Sequence, residues 1–138
     1  RISAQGGAML IADYGYTMPG IGSTLQAVRA HQFADPFENP GHHDLTAHVN
    51  FVELANLARM RHLRVNGPVE QGEWLKALGI DARAQSLCTN QPEKAEQILA
   101  ARERLVEATG MGSLFKILGI SNEEWPEPEG FGASQSLR

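Results

Sequence analysis

Apolar positions follow three different rhythms along the 138 residues. From Gly6 to Tyr14 the run Gly-Gly-Ala-Met-Leu-Ile-Ala-Asp-Tyr is continuously apolar rather than alternating. That is the pattern of a strand buried on both faces, as in a parallel α/β sheet. The run ends at Asp13, and Gly15 permits a sharp turn. Phe51, Leu54, Ala55 and Ala58 recur at helical spacing, and Asn50 with Glu53 forms a capping box, which predicts a helix over 50–60. The longest helical pattern covers 91–109 through Ala95, Ile98, Leu99, Leu105, Val106 and Thr109. Asn90 is its cap, Pro92 suits its first turn and Gly110 stops it. A short strand is predicted over 63–66, closed by Gly67-Pro68. Helices are predicted over 72–78, ended by Gly79, and from a cap at Asp81 to Cys88. Ser113 to Ile120 reads as a second largely apolar strand.

Between Gly15 and Asn50 the chain is rich in Gly, Pro, His and Asp. Turns are marked by Pro19-Gly20, Asp35-Pro36 and Asn39-Pro40-Gly41. Thr24 to Gln32 fits a short helix or a strand equally well. Leu45, Ala47 and Val49 alternate with Thr46, His48 and Asn50, which predicts an extended segment with the three polar residues lining one face of a cleft. A loop-like segment this long is uncommon in a compact domain unless it is functional. Past Asn122, four glutamates fall in seven positions among Pro, Gly and Ser. That composition predicts a flexible acidic tail over 122–138 and leaves 1–121 as the folded part.

Charge and cysteine content narrow the function classes. Twelve Lys and Arg against sixteen Asp and Glu give a net charge of −4, which argues against a general nucleic-acid binder. The single cysteine, Cys88, excludes an internal disulfide or a Cys-rich zinc site and reads as packing. Ala8 to Ala12, the longest apolar run, is too short to span a bilayer, and residues 1–7 lack the segments of a secretory signal. A cytoplasmic or matrix-like location without membrane contact is the expectation. The chain starts at Arg1 without an initiator methionine and meets a buried-looking strand at once, as a processed or truncated chain would.

Several constellations could carry chemistry. Asp13-Tyr14-Gly15 sits at the carboxyl end of the first strand, where ligands bind in open α/β sheets. His42, His43, Asp44 and His48 fall within seven residues, but their spacing fits no closed zinc pattern, and no metal site is expected. Gly67-Pro68-Val69-Glu70-Gln71-Gly72 lacks the spacing of a phosphate cradle and reads as a strand-to-helix turn. Ser113 has no glycine-flanked elbow, which argues against a serine hydrolase.

Together these segments resemble one family. Ala-Met-Leu-Ile-Ala-Asp-Tyr-Gly-Tyr (8–16), Thr24-Leu25-Gln26-Ala27 through His31, Asn39-Pro40-Gly41, and Asp-Leu-Thr-Ala-His-Val-Asn-Phe (44–51) fall in its order. Gly67 to Gly72, Trp74-Leu75, Leu78-Gly79-Ile80, and Met-Gly-Ser-Leu-Phe-Lys (111–116) continue it, and the last looks bacterial. The chain resembles the carboxyl-terminal part of the MidA-like class I S-adenosylmethionine-dependent methyltransferases, whose mitochondrial members are complex I assembly factors that methylate arginine. The resemblance implies an α/β fold holding strands five to seven of a Rossmann-like sheet, with a long inserted loop and helices. Residues 8–13 would be strand five, 63–66 strand six, and 113–120 an antiparallel strand seven between them. The glycine-rich turn, the acidic residue after the second strand and the fourth-strand motif of the family lie upstream of these segments. The cofactor S-adenosylmethionine would then be bound mainly by an amino-terminal half absent from this chain, with no cofactor-binding residue here.

The implied reaction is methylation of an arginine side chain of a protein, with a respiratory complex I-type subunit as substrate. The candidate catalytic residues are Asp13, Asp44 and His48, the last as acceptor of the released proton. Tyr14, His31 and Thr46 are candidate substrate-binding residues. The alternative is a non-catalytic interaction module that docks partners through residues 15–50. A first strand without its neighbour would leave an apolar edge open, to be covered by the missing half or by another chain. The location implied is cytoplasmic in a bacterium and the mitochondrial matrix in a eukaryote.

Overall fold

The computed structural model describes residues 1–18, 20–30 and 32–132. After a short helix α1 (Ile2–Gln5), strand β1 spans Ala8–Tyr16. It therefore runs past Asp13 and through Gly15, where the sequence suggested a turn. The insert that follows holds β2 (Gln26–Arg29), β3 (Gln32–Ala34) and β4 (Asp44–Thr46). Then come β5 (Val49–Asn50), α2 (Phe51–Arg59), β6 (Arg64–Glu70), α3 (Gln71–Ala77) and α4 (Ile80–Asn90). A 3-10 turn (Pro92–Lys94), α5 (Ala95–Val106), α6 (Met111–Leu114) and β7 (Phe115–Ser121) complete the chain's regular structure.

The strands form two sheets, ordered β5-β1-β7-β6 and β3-β2-β4. In the larger, β7 lies between β1 and β6 and is antiparallel to both, from Ala8 opposite Ser121 to Tyr14 opposite Phe115. This is the place and direction expected of the last strand. Pairing alternates the side chains, so Ile11, Leu118, Ile120 and Val65 face α2. There they bury Phe51, Ala55 and Ala58, whose spacing follows the helical period. Phe51 and Leu118 are fully excluded from water. The Asn50 side chain accepts a hydrogen bond from the Glu53 backbone N–H at 3.2 Å, so the predicted cap forms and fixes where α2 leaves β5.

The expectation of burial on both faces of β1 is corrected. Met9 and Leu10 are 49% and 54% exposed. Beyond β7, β1 pairs only through Gly15 and Tyr16 with Val49 and Asn50 of β5. Among the described residues, no strand lies along the outer edge of Ala8–Tyr14, and a continuous apolar run is buried only where neighbours flank it.

Other boundaries moved for local reasons. Thr24–Gln32, open between helix and strand, contains β2, whose Val28 stands opposite Phe33 and Asp44. Gly67-Pro68 does not close β6; the strand continues to Glu70 with a shift of register between Asn66 and Val69. Asn90 ends α4 instead of capping the next helix, which begins only after the 3-10 turn. Glu107 is extended, so α5 stops before Gly110. Asp81 caps nothing. It pairs with Arg102 at 2.7 Å while Glu107 holds the same guanidinium at 2.7 Å, tying α4 to α5. Hydrogen bonding to Asp81 first, and then to Glu107, keeps Arg102 above the ordinary arginine range against the opposing effect of desolvation. The expected strand from Ser113 starts two residues later because α6 occupies Met111–Leu114.

Residues 122–132 do not extend away from the fold as the expected tail would. Arg64 donates to the carbonyls of Glu123 and Trp125, Asn122 N–H donates to Gly7 O at 3.1 Å, and Phe131 meets Trp74 with ring centroids 6.3 Å apart. The glutamates are exposed while Phe131 and the backbone carbonyls of Glu123 and Trp125 anchor the segment, a signal the count of acidic residues concealed. Residues 133–138 lie outside the described residues.

Candidate active site

The carboxyl end of β1 and the start of β5 are joined by a close backbone approach. A Cβ at Gly15 would lie 2.3 Å from Val49 O and 2.8 Å from the ring of Phe51, so only glycine permits the two parallel strands to meet here. The approach fixes the residues on either side of it. Tyr14 and His48 meet edge to face, with centroids 5.7 Å apart and planes at 72°. Phe115, opposite Tyr14 in the ladder, holds the other side of the phenol ring at 5.6 Å. The His48 backbone N–H donates to Thr24 Oγ1 at 3.2 Å, which ties the inserted segment to the end of the main sheet. Tyr14 and His48 are both half-buried.

The candidate residues separate into two groups. Asp13 is half-buried, next to Tyr14 but on the other face of β1, and its Oδ1 accepts the Tyr14 N–H at 2.8 Å. Asp44 is exposed on β4 opposite Val28, and Thr46 ends that strand opposite Gln26. They stand in the smaller sheet, while Asn50 stands in the larger and spends its side chain on the cap of α2. Thr46, His48 and Asn50 therefore do not form one continuous face; the extended segment is divided at Ala47-His48 between two sheets. His31 lies outside the described residues. Thr24 and Phe115 were not found by sequence reasoning. Phe115 follows from the antiparallel register once β1 and β7 are paired, whereas nothing in the local sequence marks Thr24.

A second polar group supports this end of the sheet. Lys116, opposite Glu70 in the ladder, donates to its carboxylate at 3.1 Å and also to the Ser113 carbonyl. Ser113 Oγ is turned to Ala108 O at 3.1 Å, a structural contact. Among the described residues, no group of three or more His, Cys, Asp and Glu could hold a metal ion. Gly15 and Gly67 both lie within strands and pack closely. The space beside Gly15 is taken by Val49 and Phe51, and a Cβ at Gly67 would lie 2.6 Å from Ile117 O. No helix among the described residues is long and apolar enough to cross a membrane.

The chain is similar to known proteins. The chain is 36% identical over 123 residues to the mitochondrial protein arginine methyltransferase NDUFAF7 of Danio rerio, covering 88% of this chain and 29% of the relative. It is 34% identical over 122 residues to NDUFAF7 of Homo sapiens, covering 87% of this chain and 27% of the relative. The chain thus spans less than a third of these relatives' length. A crystal structure of an uncharacterised protein from Burkholderia thailandensis superposes with a TM-score of 0.77 at 24% identity, covering 94% of this chain and 35% of that one. A second, from the same organism and bound to S-adenosyl-homocysteine, gives 0.75 at 24% identity over 93% of this chain and 33% of that one. These likenesses show the fold, a mixed α/β sheet consistent with the Rossmann-like class I architecture. Residues 1–69, from α1 through most of β6, match the family model for S-adenosyl-L-methionine-dependent methyltransferases, and the chain belongs to that family.

Proposed function

We propose that this chain forms the acceptor-side wall of a protein arginine methyltransferase, with S-adenosylmethionine held by polypeptide outside these residues. The observation that carries the reading is the Tyr14–His48 pair at the carboxyl end of β1. It lies in a chain matched over 87–88% of its length by proteins named as arginine methyltransferases. The cofactor supplies a methyl group. What this chain must do is bind a planar cation, orient one of its nitrogens and take the proton that the nitrogen gives up. A half-buried aromatic ring suits a guanidinium group, and carboxylates match its edge. Tyr14 contacts the guanidinium, Asp13 holds the Tyr14 backbone N–H from the other face of β1, and His48 takes the proton. Asp44, Thr46 and His31 contact the protein that carries the arginine, a respiratory complex I-type subunit. Substrate alignment by such contacts accounts for much of the rate in reactions of this kind.

The open outer edge of β1 takes a further strand, from a longer form of the polypeptide or from another chain. The protein works in the cytoplasm of a bacterium or the mitochondrial matrix of a eukaryote. The interaction-module alternative has no separate observation in its favour.

The test is steady-state kinetics on the longer protein that carries this chain. His48→Ala and Asp13→Asn are expected to lower kcat by ~10-fold or more, in line with loss of a positioned proton acceptor or hydrogen-bond partner. Asp44→Ala is expected to raise KM for the protein substrate with kcat little changed. Unaltered turnover in His48→Ala and Asp13→Asn, with the fold intact, overturns the assignment.

A further inference from the structure

His48 stands where the two sheets meet. It belongs to neither ladder, since β4 ends at Thr46 and β5 begins at Val49. Both registers nevertheless run up to it. In the smaller sheet Gln26 stands opposite Thr46, and two further steps along the antiparallel register bring Thr24 opposite His48. In the larger sheet Gly15 stands opposite Val49, and one step back along the parallel register brings Tyr14 opposite His48. The contacts agree with both extensions. The His48 backbone N–H donates to Thr24 Oγ1 at 3.2 Å, and the His48 ring meets Tyr14 edge to face with centroids 5.7 Å apart.

A residue outside the ladders must place its backbone N–H elsewhere. For His48 the acceptor is a side-chain hydroxyl that takes the place of a strand partner. Ser23 Oγ in turn accepts the Leu25 N–H at 3.2 Å, which shapes the turn that carries Thr24. Thr24 and His48 are both half-buried, and a backbone donor left there without its acceptor is unfavourable.

We propose that Thr24 is a positioning residue for methyl transfer: its hydroxyl fixes the backbone of His48 at the junction of the sheets and so sets the His48 ring against Tyr14. The proposal rests on the reading of His48 as the proton acceptor. In this role Thr24 touches no reacting atom and acts through His48.

Thr24→Val keeps the shape and removes the hydroxyl, whereas Thr24→Ser keeps the hydroxyl. In the longer protein that carries this chain, Thr24→Val is expected to lower kcat by ~10-fold with KM for the protein substrate little changed, within the ~100-fold that a displacement of about 1 Å can cost. Thr24→Ser should recover most of that loss. In the His48→Ala background Thr24→Val should cost nothing more, as expected of residues that act as a unit. An equal loss in Thr24→Val and Thr24→Ser, or the same loss in Thr24→Val with and without His48, overturns the proposal. A readout without turnover separates it from the reading on which it rests. In the 138-residue chain, the proton NMR contact between the Tyr14 and His48 rings should weaken in Thr24→Val and persist in Thr24→Ser, with circular dichroism unchanged in both. A ring contact that persists in Thr24→Val overturns the proposal even where His48→Ala abolishes turnover. If instead His48→Ala leaves turnover unaltered, the proton-acceptor reading falls, and the hold of Thr24 on His48 is still judged by the ring contact.

Discussion

Replacing Gly15 by alanine tests how the candidate site is held. The added methyl would lie 2.3 Å from the Val49 carbonyl oxygen and 2.8 Å from two atoms of the Phe51 ring. Ordinary contact needs about 1 Å more. The carbonyl belongs to the parallel partner strand, so no side-chain rotation relieves the clash. Phe51 is fully buried against Leu118 and begins α2, so it cannot yield without disturbing the core. Overpacking of this kind costs ~1–3 kcal/mol, and the backbone contact puts Gly15→Ala at about the upper end of that range. Gly20→Ala is the control, because its Cβ meets nothing within 4 Å; it should be neutral or stabilise by ~0.4–1 kcal/mol. Urea unfolding followed by circular dichroism reads both, as a change of midpoint at constant slope. The Tyr14–His48 ring contact, followed by proton NMR, should weaken in Gly15→Ala alone. A loss of stability under ~0.5 kcal/mol in Gly15→Ala, the usual scatter of neutral surface changes, with the ring contact retained, would refute the reasoning.

Two further outcomes follow from contacts elsewhere. Asn50→Ala removes the cap of α2 and should cost ~1 kcal/mol, with faster amide exchange confined to the first turn of that helix. Arg102→Gln breaks both ion pairs that tie α4 to α5; it should speed amide exchange in α4 with little loss of global stability, and the difference should shrink in high salt.

The extent to which the fold was legible depended on how local each cause was. The α2 helix declared itself because its cap and its apolar stripe lie within nine residues of one another. Three of the four strands of the main sheet were located from apolar runs, but the central position of β7 came from resemblance, since pairing of residues 8–14 with 115–121 is a long-range choice that no window of sequence encodes. Asp81 looked like a helix cap because caps and ion-pair partners use the same side chain, and only the position of Arg102 decides between them. Met9 and Leu10 looked buried because an apolar run records the neighbours a strand requires, not those present. In the site, Tyr14 and His48 were both named, yet their contact depends on Gly15 admitting Val49. Thr46 and Asn50 were grouped with His48 by alternation alone, and the division of that segment between two sheets broke the face they were expected to share. The aromatic residues of 122–132 were outvoted by the surrounding glutamates, although Phe131 against Trp74 and Arg64 on the carbonyls of Glu123 and Trp125 hold the segment down.

The identity of the methylated group tests the central claim most directly. The longer protein carrying this chain, supplied with S-adenosylmethionine labelled in its methyl group and with protein extract from its own organism, should place label on protein. Hydrolysis of that product should release the label as methylated arginine, and His48→Ala should lower its yield by ~10-fold or more. Label recovered only on another amino acid, or an arginine product whose yield is the same in His48→Ala, would contradict the account.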